Sequence, residues 1–191
     1  MNKQKIGFWG GCFNPPSNAH IDLAQKILKD LNLNKIIFVP VGDYYEKENL
    51  VDSVHRYNML KLATEEVEGL EVEDIEIKSK VKLYAKDAFA MLKEKYFEDE
   101  VYFIMGSDNF IKMPAWKDYD NIIKNYRYIV IRRLGFDMIT TRSNVIYYEP
   151  VQTKDISSTK IREHLKYGEN LSDYLNENVY KYIRNNNLYD T

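Results

Sequence analysis

The stretch Lys5-Ile6-Gly7-Phe8-Trp9-Gly10-Gly11-Cys12-Phe13-Asn14-Pro15-Pro16-Ser17-Asn18-Ala19-His20 decides the fold. Lys5 to Trp9 reads as a short strand. Gly10 to His20 reads as a loop. From there Ile21, Ala24, Ile27, Leu28 and Leu31 recur at helical spacing. Two adjacent glycines permit tight backbone conformations and let an anion approach main-chain N–H groups closely. The helix that follows presents its N-terminus, where unpaired N–H groups and the dipole favour phosphate. The glycine spacing is neither G-x-G-x-x-G nor a P-loop, which disfavours a nicotinamide-dependent oxidoreductase and a P-loop NTPase.

The same alternation continues outward. Lys35 to Val41 predicts a second strand, ended by Pro40, Gly42 and Asp43. Val54, Met59, Leu60, Ala63 and Val67 predict a second helix. Leu70 to Lys78 is apolar on alternate positions, with a phase shift before Ile75, and predicts a third strand. Ala85, Ala88, Phe89, Leu92 and Tyr96 mark a third helix. Val101 to Met105 and Tyr128 to Ile131 are continuous apolar runs, as expected of strands buried on both faces. Strands alternating with helices imply right-handed βαβ units. The expected fold is α/β, a Rossmann-like parallel sheet flanked by helices, with a small C-terminal helical part from about residue 156 to 191. No repeat or linker divides the chain, so residues 1–191 are expected to form a single domain. Ligands in such sheets bind beyond the carboxyl ends of the strands, and every candidate motif falls in a loop after a strand.

Composition narrows the partners. The 191 residues are 45% apolar and 29% charged, an ordinary globular balance, and the net charge is −2. That balance gives no global pull toward nucleic acid or an acidic membrane, so any anion site has to be local. One cysteine, Cys12, rules out an internal disulfide and is consistent with a reducing cytoplasm. No stretch has the length of a membrane span or a signal peptide. Homo-oligomerisation is left open.

A second loop carries chemistry. Asp155-Ile156-Ser157-Ser158-Thr159-Lys160-Ile161-Arg162 follows the run Val145 to Glu149 and opens a helix with a stop expected at Gly168. One hydroxyl suffices for an N-cap. Three, with Lys160 and Arg162, match a polyphosphate, which needs many donors and local positive charge. In the first loop, Ser17 reads as an N-cap. His20 reads either as a capping residue or as a donor to a phosphate whose charge grows in a transition state.

Together the two loops resemble those of the nucleotidylyltransferases whose first loop ends in His-x-Gly-His or Thr-x-Gly-His and whose last carries Ile-Ser-Ser-Thr-x-Ile-Arg. The chain is most similar to the bacterial nicotinate mononucleotide adenylyltransferase family. The resemblance covers nearly the whole length: Gly10-Gly11-x-Phe13-x-Pro15, Arg56-x-x-Met59-Leu60-x-x-Ala63, Gly106-x-Asp108-Asn109 followed by Trp116, Arg133-x-Gly135, and Val179-x-x-Tyr182-Ile183 before Leu188-Tyr189. It implies transfer of an adenylyl group from ATP to a nicotinate or nicotinamide mononucleotide, with release of pyrophosphate. It also implies roles. Backbone at Gly10, Gly11, Cys12 and Phe13 lines the ATP phosphates. His20 donates to the phosphate under substitution, with Ser17 and Arg162 beside it. Gly106 and Asp108 hold the adenosine side. Ser157, Ser158 and Thr159 grip the triphosphate. Trp116 stacks on the pyridine ring, and Lys47, Arg56, Tyr84 and Arg133 complete the substrate contacts. A Mg²⁺ ion is implied on the substrate phosphates, with no metal site built from the chain.

Two departures stand out. Ser17 and Ala19 replace the family's usual His or Thr and Gly. A serine hydroxyl can still donate to phosphate, and Ala19 is acceptable where its φ stays negative. After the third strand, Ser79 to Phe89 keeps Tyr84 and Asp87 of the family's Arg-x-Gly-x-Ser-Tyr-Thr-x-Asp-Thr-Leu but not its other polar positions. These departures motivate two rival readings: another phosphorylated acceptor, or a nucleotide-binding protein with impaired catalysis.

Overall fold

The computed structural model describes residues 3–150, 157–167, 169 and 171–189. Asp155 and Ile156 of the last-loop motif, and the stop expected at Gly168, lie outside the described residues. Six strands form the sheet: β1 (Lys5–Gly11), β2 (Lys35–Pro40), β3 (Leu70–Val72), β4 (Glu100–Gly106), β5 (Arg127–Ile131) and β6 (Val145–Tyr148). The helices are α1 (Asn18–Asp30), α2 (Ser53–Thr64), α3 (Ala85–Lys95), α4 (Ser107–Lys112), α5 (Tyr119–Asn125), α6 (Ser158–Lys166) and α7 (Glu177–Asn185).

The strand order is β3-β2-β1-β4-β5-β6 and each pairing is parallel. This is the expected Rossmann-like sheet. Its order reverses between β1 and β4, where Trp9 pairs with both Phe38 and Ile104. Alternate residues of each central strand feed opposite faces. Trp9, Phe38, Ile104 and Ile129 pack with Ile27, Met59, Ile161, Val179 and Ile183 from α1, α2, α6 and α7. Phe8, Ile37, Phe103 and Tyr128 pack with Leu92 of α3 and Ile122 of α5. Burial on both faces is why these strands read as continuous apolar runs.

The third strand is shorter than Leu70 to Lys78. It ends at Val72, and Glu73 N–H donates a last bond to Phe38 O at 2.9 Å. The chain then turns, with Lys78 N–H on Asp74 O at 2.9 Å. The phase shift before Ile75 marks that exit. α2 stops at Thr64, short of Val67; the Thr64 hydroxyl bonds back to Leu60 O at 3.0 Å. Neither α4 nor α5 is long enough to show a period in the sequence. No helix among the described residues is long and apolar enough to cross a membrane.

Candidate active site

The loops after β1, β2, β4 and β5 and the start of α6 converge over the reversal point. A cleft of about 980 Å³ opens there. Gly10, Gly11, Cys12, Phe13, Ser17 and His20 line it from the first loop and α1; Lys47 comes from the segment after β2 and Tyr84 from the N-cap of α3. Gly106, Asp108, Trp116 and Arg133 line it from beyond β4 and β5, and Ser157, Ser158, Thr159 and Arg162 from the start of α6. These residues were expected at the site, and the fold brings them together from six separate segments.

Arg56 was expected there too and is not. Its side chain is 0% exposed and lies outside the cleft lining. Nε donates to Val51 O at 2.8 Å, Nη1 to Cys12 O at 3.1 Å and Nη2 to Val41 O at 2.6 Å. Asp43 Oδ1 lies 3.8 Å from Nη2. The guanidinium therefore ties the loop after β1 to the end of β2 and to the segment before α2, and has no N–H turned to a substrate. Its pattern in sequence, Arg56-x-x-Met59-Leu60, is that of a helix whose apolar neighbours pack inward, and Arg56 follows them inside.

The first loop is held hard. Phe13 sits at φ 46°, a left-handed conformation uncommon for a bulky residue. Its ring packs edge-on against His20 and Phe38, at 5.5 and 5.3 Å between centroids. A Cβ on Gly11 would lie 3.0 Å from that ring, so a larger residue there would press against Phe13. Arg162 Nη1 donates to Asn14 O at 2.7 Å and Ser158 Oγ to Pro15 O at 2.9 Å, joining α6 to the loop.

His20 lies at the third position of α1, capped by Ser17. The Ser17 backbone N–H donates to His20 Nδ1 at 3.1 Å, and Ser17 Oγ is 2.7 Å from the same nitrogen. A nitrogen that accepts from a main-chain N–H carries no proton. The neutral ring therefore bears its proton on Nε2, and the Ser17 hydroxyl is also a donor to Nδ1. In this arrangement Ser17, 3% exposed, directs its hydroxyl proton to His20 and not to a phosphate. Ala19 lies inside α1, and its φ is not positive. The two departures from the expected motif are thus accommodated by a regular helix start.

Charge is concentrated in the cleft. Lys47, Lys82, Lys117, Arg132, Arg133 and Arg162 line it, against Glu76 and Asp108. A chain of net charge −2 has gathered a local cationic excess suited to a polyanion. Lys117 Nζ stands 4.6 Å from the Tyr84 ring centroid, and Lys47 Nζ 3.6 Å from Cys12 Sγ. Asp108 reaches back over Gly106 and lies 4.0 Å from Arg133 Nε. Burial pushes the Glu76 carboxyl up to about 7, opposed by a hydrogen bond from Gly42 N–H and by the charge of Arg56. Lys82, Lys117, Arg132 and Glu76 were not singled out in the sequence. Isolated charges in polar segments carry no periodic signal; only the fold shows which ones face inward. Among the described residues, no group of three or more His, Cys, Asp or Glu side chains is placed to hold a metal ion.

The cytidylyltransferase-like family model matches residues 8–164. The nicotinate-nucleotide adenylyltransferase of Bacillus subtilis (strain 168) is 33% identical over 191 residues, spanning 98% of this chain and 100% of that protein. The chain belongs to the nicotinate-nucleotide adenylyltransferase family. It is therefore a nucleotidyltransferase. Two solved structures of the Plasmodium falciparum nicotinic acid mononucleotide adenylyltransferase, one complexed with NaAD and one with APC, share the fold. Their TM-scores are 0.80 and 0.81 at 21% and 22% identity, and each comparison covers 98% of both chains.

Proposed function

We propose that this adenylyltransferase joins ATP to nicotinate mononucleotide in the cleft over the β1/β4 reversal, releasing pyrophosphate. The observation that carries the reading is the convergence of His20, the Gly10–Phe13 loop and the Ser157–Arg162 turn on one cationic cleft, in a chain 33% identical to a nicotinate-nucleotide adenylyltransferase.

A phosphate oxygen of the mononucleotide attacks the α-phosphorus of ATP. The new P–O bond forms as the bond to the pyrophosphate oxygen breaks, and no protein nucleophile takes part. Catalysis is then positioning and stabilisation of charge on the phosphoryl oxygens. Gly10, Gly11, Cys12 and Phe13 present main-chain groups to the triphosphate. His20 offers its Nε2 proton to a non-bridging oxygen of the α-phosphate, because Nδ1 is occupied by Ser17. Ser157, Ser158, Thr159 and Arg162 meet the leaving pyrophosphate, with Asp108 on the adenosine side. Trp116 and Tyr84 face the pyridine ring. A Mg²⁺ ion would be held by the substrate phosphates and would supply charge neutralisation there, since no acidic or His/Cys cluster among the described residues is placed to hold it.

The test is pyrophosphate release from MgATP with nicotinate or nicotinamide mononucleotide, and with His20→Ala as control. Turnover with the acid that falls by roughly 10²–10³ in the variant is expected. ATP binding without turnover on either acceptor would overturn the reading. The loss of the Ser and Thr positions at Leu83 and Ala85 supports a second reading, a different phosphorylated acceptor, which a wider acceptor screen would then reveal.

A further inference from the structure

The tail of the chain reaches the first loop. α7 ends in two tight bonds, Asn187 N–H to Arg184 O at 3.2 Å and Leu188 N–H to Ile183 O at 3.1 Å, with Asn187 at φ 51°. This is a left-handed helix stop closed by its own carbonyls. It turns the chain back, and Leu188 and Tyr189 are buried behind it. Tyr189 itself is held at φ 68°, a strained conformation for an aromatic residue. Its hydroxyl lies 2.7 Å from Asn14 Oδ1, inside the protein.

Asn14 is where the loop's ties meet. Its Nδ2 donates to Asn49 O at 2.7 Å, and its Oδ1 accepts from Val51 N–H at 3.4 Å. Its main-chain oxygen takes the 2.7 Å bond from Arg162. Val51 N–H can only donate, so Oδ1 must face it, and the Tyr189 hydroxyl must then be a donor to the same oxygen. A flipped amide would set Nδ2 against Val51 N–H and Oδ1 against Asn49 O. Val51 and Asn49 thus set the orientation of the Asn14 amide, and Tyr189 adds a buried bond that holds the side chain in place. Burial raises the Tyr189 pKa above its ordinary value, so the hydroxyl keeps its proton through the working pH range.

We propose that Tyr189 is a positioning residue: through its hydroxyl bond to Asn14 it sets the first loop, 175 residues earlier in the chain, in the conformation that receives the triphosphate. The inference rests on the reading that this loop cradles phosphate. It does not depend on which acceptor is used.

The experiment compares wild type with Tyr189→Phe, Asn14→Ala, their double variant, and Leu188→Ala as a control that loosens the tail while keeping the hydroxyl. Each is measured for kcat, for KM of ATP, for ATP affinity by calorimetry and for melting temperature. Tyr189→Phe is expected to lose kcat/KM by roughly tenfold to a hundredfold, the scale of a small misplacement of reacting groups. The double variant is expected to lose no more than Asn14→Ala alone. Leu188→Ala is expected to melt lower with kcat close to wild type. A Tyr189→Phe enzyme within twofold of wild type, independent losses that multiply in the double variant, or an equal kcat loss in Leu188→Ala would each overturn the proposal. Should wild type bind ATP yet turn over no pyridine mononucleotide, the proposed function fails and the inference is still decided: ATP affinity weakened in Tyr189→Phe but not in Leu188→Ala supports it, and unchanged affinity overturns it.

Discussion

Ser17 and His20 meet twice, main-chain N–H to Nδ1 at 3.1 Å and Oγ to Nδ1 at 2.7 Å. The pair converts the first turn of α1 into a device that fixes the imidazole tautomer. Removing the hydroxyl leaves the main-chain donor in place, so Ser17→Ala should keep the tautomer and lose part of the orientation. We expect kcat to fall roughly tenfold, well short of the 10²–10³ expected when a transition-state donor is removed outright. Ser17→Thr keeps a hydroxyl and should restore most of the rate. Steady-state kinetics of the two variants check this; a Ser17→Ala loss as deep as His20→Ala would place Ser17 on the phosphate itself.

Arg56 and Cys12 are joined by a 3.1 Å bond from a buried guanidinium to a loop carbonyl. Burial lowers the guanidinium pKa, opposed by the neighbouring Cys12 and Asp43. Deleting the side chain leaves three partly buried carbonyls, Val51, Cys12 and Val41, without their donor. Arg56→Met should therefore cost about 3–5 kcal/mol, the range for breaking a buried charged network. Arg56→Lys offers a point charge in place of a planar fork and should recover less than half of it. Urea unfolding gives both numbers. A variant as stable as wild type would return Arg56 to the list of substrate contacts.

Much of this was legible in the sequence because burial on both faces leaves continuous apolar runs. Ile36 to Val39 and Tyr128 to Ile131 are of that kind, and the glycine-rich turn at Gly10-Gly11 follows a third. The cleft residues from Gly10 to Arg162 were legible by their resemblance to a known pattern. Arg56 was placed among the substrate contacts by the resemblance alone, and nothing local in the sequence shows that three carbonyls wait for it. The link from Tyr189 to Asn14 was hidden for a different reason: a contact across nearly the whole chain has no local signal, and Asn14 between Phe13 and Pro15 looks like an ordinary loop residue.

Gly106 is crowded by the residue that follows it by two. A Cβ there would lie 2.3 Å from Asp108 Oδ1 and 3.0 Å from Arg133 Nε. Gly106→Ala should leave the β4 pairing intact and swing the Asp108 carboxylate away. With Asp108 proposed on the adenosine side, KM for ATP is expected to rise about tenfold, one lost charge-assisted hydrogen bond, while KM for the mononucleotide changes little. Initial rates over a grid of both substrates separate the two; equal rises in both would mean general damage to the cleft.

Glu76 makes stability depend on pH in a direction opposite to most carboxylates. Its folded pKa is raised to about 7 from an ordinary 4.5, with burial as the main cause. Between these values the folded protein keeps a proton that the unfolded chain has released. Stability from this group is full below about pH 4.5, falls as pH rises toward 7, and is flat above. The difference between these two values corresponds to about 3 kcal/mol at most. Glu76→Gln keeps an acceptor for Gly42 N–H and cannot titrate. Urea midpoints at pH 5 and pH 8 should therefore show wild type losing stability relative to the variant by about 2–3 kcal/mol across that interval. Parallel behaviour of the two proteins would mean that Glu76 ionises freely in the folded cleft, and its side chain would then be solvated and not buried against Gly42.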